Sequence, residues 1–278
     1  VNQGNGYFLG QKGVKIFWQS WEVEKPNAVV VVCHGLGEHG GRYRHLAETL
    51  VAENYSVYAI DHRGHGHSYG HRGKVEDFSY AVADLKLFLD TLLASQLAVP
   101  RVLFGHSMGG AISLAYTLST QQSLAGLMLS GAALSVDKIP GSMRTVCELL
   151  AAVAPNLPTA NLAPDMLSRD PAMVSDFKAD PLNLSTKIPL KTLAELIRVV
   201  PSLSERFAEL SLPLLILHGE KDQLVPHTVS ERVYEKSASE DKTLNIYPGL
   251  YHDVVNEGPT DRKQVVDDIR DWLNQRFK

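Results

Sequence analysis

The chain has 278 residues, 44% of them hydrophobic and 21% charged, enough to bury a substantial core in one domain with room for an insertion. A formal charge of -4 leaves no excess of positive charge to neutralise phosphates, and no Lys/Arg block or zinc-finger spacing appears, so nucleic acid is excluded as a partner. Two cysteines, Cys33 and Cys147, are too few for a disulfide framework, and no stretch reaches the roughly 20 apolar residues of a membrane span. Residues 1–13 are polar and Gly-rich rather than signal-like, and the cytoplasm is taken as the default location rather than deduced.

Residues 14–21 alternate apolar and polar, and residues 7–9 lie just upstream of a Gly-containing turn, which predicts an opening antiparallel hairpin. Residues 28–32 are apolar without alternation, the pattern of a strand buried on both faces, and Cys33 at their end is expected to be an inert buried thiol. The same pattern recurs at 56–60, 102–104, 124–129 and 214–217, with helical periodicity between, at 43–52, 78–93 and 111–118. Strand and helix in alternation predict an α/β fold, a mostly parallel sheet flanked by helices.

The rhythm stops after Gly131 and resumes at Pro213. Leu149, Leu150, Val153, Leu157 and Leu162 are interleaved there with six prolines, from Pro140 to Pro181, which break helices into short pieces. Residues 135–206 are read as an inserted helical cap, with 1–134 and 207–278 forming the core. A strand (214–217), a helix (229–234), a last strand (244–247) and an amphipathic helix (263–277) complete the chain.

Gly105-His106-Ser107-Met108-Gly109 is a Gly-x-Ser-x-Gly pentapeptide between a predicted strand and a predicted helix. That setting, more than the pentapeptide, marks Ser107 as the nucleophile on the sharp strand-to-helix turn of an α/β-hydrolase. Gly105 and Gly109 would avoid clashes with the neighbouring strand and helix. A serine hydroxyl needs a base and an orienting acid, which in this fold follow in the order Ser, acid, His. Of eleven histidines, only His218, His227 and His252 lie beyond Ser107, and His252 falls between the last strand and last helix. Glu220 and Asp222 compete for the acid; Asp222, followed by an apolar pair and Pro226, is preferred. Asp253, adjacent to the base, carries little weight.

Acyl transfer also needs two backbone N–H donors for the oxyanion, each typically worth about 3 kcal/mol in the transition state. Met108 supplies one, and the turn His34-Gly35-Leu36-Gly37 supplies the other, through Leu36. The run Asp61-His62-Arg63-Gly64-His65-Gly66-His67 invites a zinc reading. Tyr69-Gly70 stands where metallohydrolases need an Asp-His pair, so a loop packed beside the active site is the better reading. No metal or cofactor is called for.

His34 to His39 with Arg42-Tyr43, Asp61 to Gly66 with Ser68, Gly105 to Gly110, Leu167-Ser168-Arg169 with Asp180-Pro181, and Tyr247 to His252 together resemble monoacylglycerol lipases and their lysophospholipase-like relatives. The resemblance runs through nearly the whole chain. It implies hydrolysis of monoacylglycerol to fatty acid and glycerol, with Ser107, Asp222 and His252 as triad, Leu36 and Met108 as oxyanion hole, and Glu38 and Arg42 at the glycerol end. It also implies an apolar cap that forms the acyl tunnel and rests peripherally on lipid. Lysophospholipase, thioesterase or broad carboxylesterase activity shares the same chemistry, and a non-catalytic relative would lack a triad member. Phe177 stands where relatives commonly have Tyr, and Val255 where some have a polar residue; either would alter head-group preference.

Overall fold

The structure, a computed structural model, describes residues 2–92, 99–161, 163–184 and 187–278. Leu162 and residue 93, the end of the expected second helix, lie outside the described residues. The strands are β1 (Asn2–Leu9), β2 (Lys15–Glu22), β3 (Val29–Cys33), β4 (Ser56–Ile60), β5 (Arg101–His106), β6 (Gly126–Ser130), β7 (Pro158–Asn161), β8 (Lys187–Pro189), β9 (Leu214–Gly219) and β10 (Lys242–Tyr247). The α-helices are α1 (Arg44–Ala52), α2 (Phe78–Leu87), α3 (Met108–Thr120), α4 (Gly141–Val153), α5 (Pro171–Ala179), α6 (Leu190–Ser204), α7 (Thr228–Lys236) and α8 (Pro259–Phe277). The second is shorter than its periodicity predicted, because the chain passes into a π-helical turn over Phe88–Leu92.

Eight strands form one sheet in the order β1-β2-β4-β3-β5-β6-β9-β10. The opening hairpin is antiparallel and joins β4 antiparallel, and every pairing from β4 to β10 is parallel. The unalternating apolar runs have the expected cause, since successive residues enter different layers. Val29, Val31 and Cys33 face the layer holding Phe78, Leu85, Ile112 and Val229 of α2, α3 and α7. Val30 and Val32 face Leu46, Leu50, Ile269 and Trp272 of α1 and α8. Each such side chain removed from water contributes about 1.5–3 kcal/mol. Cys33 is fully buried and unpaired, and burial pushes its thiol up to about 12, out of reach as a thiolate.

Between β6 and β9 the chain leaves the sheet. Helices α4 and α6 pack on each other through a small separate core of Val136, Cys147, Ala151, Leu190, Ala194, Ile197 and Val200. The prolines act at boundaries as expected. Pro171 opens α5 behind Asp170, whose carboxylate accepts from the Ala172 N–H, although α6 continues past Pro201. The segment is not wholly helical, since β7 and β8 pair as a short antiparallel ribbon. It is fastened to the sheet layer where the Leu184 N–H donates to Gly37 O (2.7 Å), His39 Nε2 meets Asp180 Oδ2 (2.8 Å) and the Phe78 N–H donates to Glu195 Oε2 (3.0 Å). Among the described residues no helix is long and apolar enough to cross a membrane.

Candidate active site

Strand β5 ends against Ser107, which adopts φ 51° and ψ -119°. A non-glycine residue in such a conformation costs on the order of 1–3 kcal/mol and persists only where its surroundings hold it. Here the Ser107 N–H donates to Ser130 O at 3.0 Å, and its carbonyl accepts from Ala133 N–H at 2.9 Å and from the first turn of α3. The flanking glycines are required by space. A Cβ on Gly105 would lie 2.6 Å from Gly109 O, and one on Gly109 only 2.1 Å from Cys33 O and 2.4 Å from His34 O. The elbow therefore presses β5, α3 and the loop after β3 into direct backbone contact.

That loop brings Gly35 against the elbow, where an added Cβ would lie 3.1 Å from Ser107 Cβ. Its shape is held by His34, whose Nδ1–H donates to Gly35 O (2.7 Å) while Nε2 accepts the His62 N–H (2.9 Å). The histidine-rich run thus braces the loop, and His34, His62 and His65 sit as neighbouring rings within it. Asp61 closes the run by accepting from the Gly40 and His67 N–H groups, both at 2.8 Å. Leu36 lines the cavity over Ser107. Met108 is the first residue of α3, so its N–H has no intrahelical acceptor.

After β9, Asp222 turns the chain: its Oδ1 accepts the N–H groups of Leu224 (2.8 Å) and Val225 (2.9 Å). Its Oδ2 then faces His252 Nδ1 at 2.6 Å and His218 Nε2 at 3.0 Å. Burial works to raise the Asp222 carboxyl, but the charge and hydrogen bonds of the two imidazoles outweigh it and hold the group far below the ordinary range. Burial likewise works against the His252 imidazolium, yet Asp222, with Asp253 and Glu38 adding, keeps its pKa above the usual value. With the Nδ1 proton committed to Asp222, Nε2 is the nitrogen of the His252 ring left to accept a proton, and the ring lines the same cavity as Ser107. The competing acid points elsewhere, because Glu220 accepts from the Gly249 N–H at 3.0 Å. His227 lies 3.9 Å from Glu231 at the start of α7.

The cavity, about 250 Å³, joins two chemistries. Leu36, Ala163, Leu167, Phe177, Ile188, Leu224 and Val225 form an apolar wall, and Glu38, Arg42, His106 and Asp253 a polar one. Glu38 Oε1 accepts from the Gly35 N–H (2.6 Å) and Tyr43 O–H (2.7 Å), and Oε2 pairs with Arg42. Arg42 Nη1 also lies 3.0 Å from Asp253 Oδ2, and its guanidinium lies over the Phe177 ring, 4.9 Å from the centroid. Phe177 therefore meets the polar end with a ring face, where a Tyr would add a hydroxyl. Val255 is fully buried among the residues between the sheet and α8 and is not among those lining the cavity.

Two carboxylates carry more of this site than their sequence context suggested. Asp253 pairs with Arg42 on the polar wall, 3.0 Å from Nη1, and no hydrogen bond joins its carboxylate to the His252 ring among the described residues. Glu257, also buried, accepts from Ser168 Oγ (2.7 Å), Arg169 N–H (3.0 Å) and Tyr251 N–H (3.1 Å), while the Asp253 N–H donates to Leu167 O (2.9 Å). The segment after β10 is thereby tied to residues 167–169. In sequence Asp253 is marked only by its adjacency to the candidate base, which does not reveal Arg42 as its partner, and Glu257 is not marked at all.

Comparison with known proteins gives concordant results. Residues 24–259, a span that includes the whole segment between β6 and β9, match the family model described as "Serine aminopeptidase, S33". The monoacylglycerol lipase of Mycolicibacterium smegmatis is 40% identical over 96% of this chain and 95% of its own length. The monoglyceride lipase of Rattus norvegicus is 33% identical over 98% of this chain and 90% of its own. Among solved structures, the monoacylglycerol lipase of Paleococcus ferrophilus superposes with a TM-score of 0.82 at 29% identity, covering 94% of this chain and 99% of that one.

Proposed function

Because this chain belongs to the monoacylglycerol lipase family of α/β-hydrolases, we propose that it cleaves the ester bond of monoacylglycerols to fatty acid and glycerol, with Ser107 as nucleophile. Ser107 Oγ attacks the ester carbonyl as His252 Nε2 takes its proton. Asp222 holds the imidazole in the Nδ1–H form and stabilises the imidazolium. The N–H groups of Leu36 and Met108 receive the oxyanion. His252 then returns the proton to the departing glycerol oxygen, and water, activated by the same imidazole, releases the fatty acid. The observation that carries this reading is the short Nδ1 to Oδ2 contact of His252 and Asp222, 2.6 Å, beside a strained serine in a half-apolar cavity.

Residues 135–206 act as a lid over that cavity. The acyl chain lies along the apolar wall, and the glycerol faces Glu38 and Arg42. The lid also carries the contact with lipid: Met143, Val146, Leu149, Leu150 and Val153 of α4 are all exposed, Val153 to 80%, with Leu157 just beyond. Five apolar side chains on the open face of one helix are the mark of a surface that meets lipid. The enzyme therefore works peripherally at membranes or lipid particles.

Release of fatty acid from 1-monooleoylglycerol, the corresponding diacylglycerol and triacylglycerol, and lysophosphatidylcholine tests the substrate. Monooleoylglycerol is expected to give the highest kcat/KM. Faster cleavage of a diacyl or phosphorylated substrate overturns the assignment.

A further inference from the structure

Among the described residues Arg42 is the one Lys or Arg side chain on the polar wall, and two carboxylates share it. Glu38 and Asp253 both pair with the same Nη1, from the loop after β3 and from the residue after His252. Asp253 is 1% exposed, and each of its oxygens accepts from Asn256 Nδ2 at 3.1 Å. Burial works to raise this carboxyl, but Arg42 beside it and the Asn256 hydrogen bonds outweigh burial and hold it ionised below the usual range. His106 Nε2 lies 3.9 Å from Asp253 Oδ1, but burial lowers its imidazole below the usual value, so the ring is neutral near pH 7 and its Nδ1–H donates to Ser130 O at 3.0 Å. The polar wall thus holds one more negative charge than positive, in a cavity otherwise lined by apolar side chains, Ser107 and His252, the last already paired with Asp222. An excess charge in such surroundings is poorly screened.

Resting on the monoacylglycerol reading, we propose that Asp253 is a specificity-determining residue: its second carboxylate on Arg42 makes the head-group end accept neutral, hydroxyl-bearing alcohols and reject phosphorylated ones. Both carboxylates are acceptors only, so they suit the O–H donors of a glycerol. A phosphate brings acceptors and negative charge to a wall already supplied with both. Arg42 alone with Glu38 would form a neutral pair. It is Asp253 that tips the balance, and it does so from a position fixed by Asn256 and by the backbone bond to Leu167.

The test reads binding rather than turnover of the lipid. Hydrolysis of p-nitrophenyl butyrate, which has no glycerol head, is inhibited with two non-hydrolysable ethers, 1-O-octadecylglycerol and its 3-phosphate. Wild-type protein is expected to bind the neutral ether more tightly, and Asp253→Asn to narrow the ratio of the two Ki values by about tenfold, through tighter binding of the phosphate. A ratio unchanged in the variant, or wild-type protein that binds the phosphate at least as well, overturns the proposal. The wild-type ratio decides alone if the variant does not fold. Failure to hydrolyse monooleoylglycerol while the Ki ratio shifts as stated would count against the substrate reading and not against Asp253.

Discussion

Replacing Asp222 by Asn alters one atom and tests the whole arrangement around His252. The carboxylate serves four donors: the Leu224 and Val225 N–H groups on Oδ1, His252 and His218 on Oδ2. An asparagine has only one acceptor oxygen. Turning it toward His252 would set an NH2 against two backbone N–H groups, leaving each unpaired at about 1–3 kcal/mol. The oxygen therefore stays with Leu224 and Val225, and the NH2 faces His252. The imidazole must then present a bare Nδ1 and carry its proton on Nε2, the nitrogen that has to accept from Ser107. The expected loss in kcat/KM on monooleoylglycerol is about four orders of magnitude, or roughly 5 kcal/mol, as the same exchange costs a serine-protease triad. The fold should survive, since the two turn hydrogen bonds are kept, and circular dichroism with urea denaturation checks this. Glu220→Gln, on the same loop but bonded to Gly249, should stay within about twofold of wild type. A folded Asp222→Asn protein that loses less than tenfold would refute the reasoning.

Three further outcomes follow from the same geometry. Because Asp222, Asp253 and Glu38 hold the His252 pKa above its usual 6.5, the acid limb of the kcat/KM profile should lie above that value, and Asp253→Asn should move it to lower pH; a limb that does not move contradicts the electrostatic account. Burial lowers His62 to about 3 and His45 and His65 to about 4, so the unfolded chain binds more protons than the folded one below pH 6.5, and their stabilising effect, complete above that value, is lost as pH falls. Going from pH 7 to 5.5 should cost on the order of 1 kcal/mol for each of these three groups, with His34 and His106 adding in the same sense and His252 opposing; urea midpoints at the two pH values measure it, and an unchanged midpoint would contradict it. Leu149→Glu with Val153→Glu on α4 should weaken binding to phosphatidylcholine vesicles by at least about tenfold while hydrolysis of p-nitrophenyl butyrate is unchanged; equal vesicle binding would remove α4 from lipid contact.

What could be read in advance depended on how local the signal was. The buried parallel strands were legible because Val29 to Val32 and Leu214 to Leu217 have no polar residue to place in solvent. Strand β1 was legible only at its end, since Asn2, Gly4 and Gly6 carry no apolar pattern and are strand by virtue of pairing with β2. The ribbon of β7 and β8 begins and ends on Pro158 and Pro189, residues that read as breaks. Ser107, Asp222 and His252 are legible because chain order in the fold leaves few alternatives, and the structure brings Asp222 to His252, which lines the cavity with Ser107. Asp253 was passed over because its effect depends on Arg42, which adjacency to His252 does not reveal. Phe177 stands out in the sequence, but its ring meets the Arg42 guanidinium only through the fold.

The central claim, that Ser107 is the nucleophile of a monoacylglycerol lipase, is tested most directly by reaction with a fluorophosphonate probe followed by peptide mass spectrometry and a monooleoylglycerol assay of the same samples. A single adduct is expected, on Ser107, formed in step with loss of hydrolysis, with neither adduct nor hydrolysis in a folded Ser107→Ala protein. An adduct on another residue, or fatty-acid release that persists in Ser107→Ala, would contradict it.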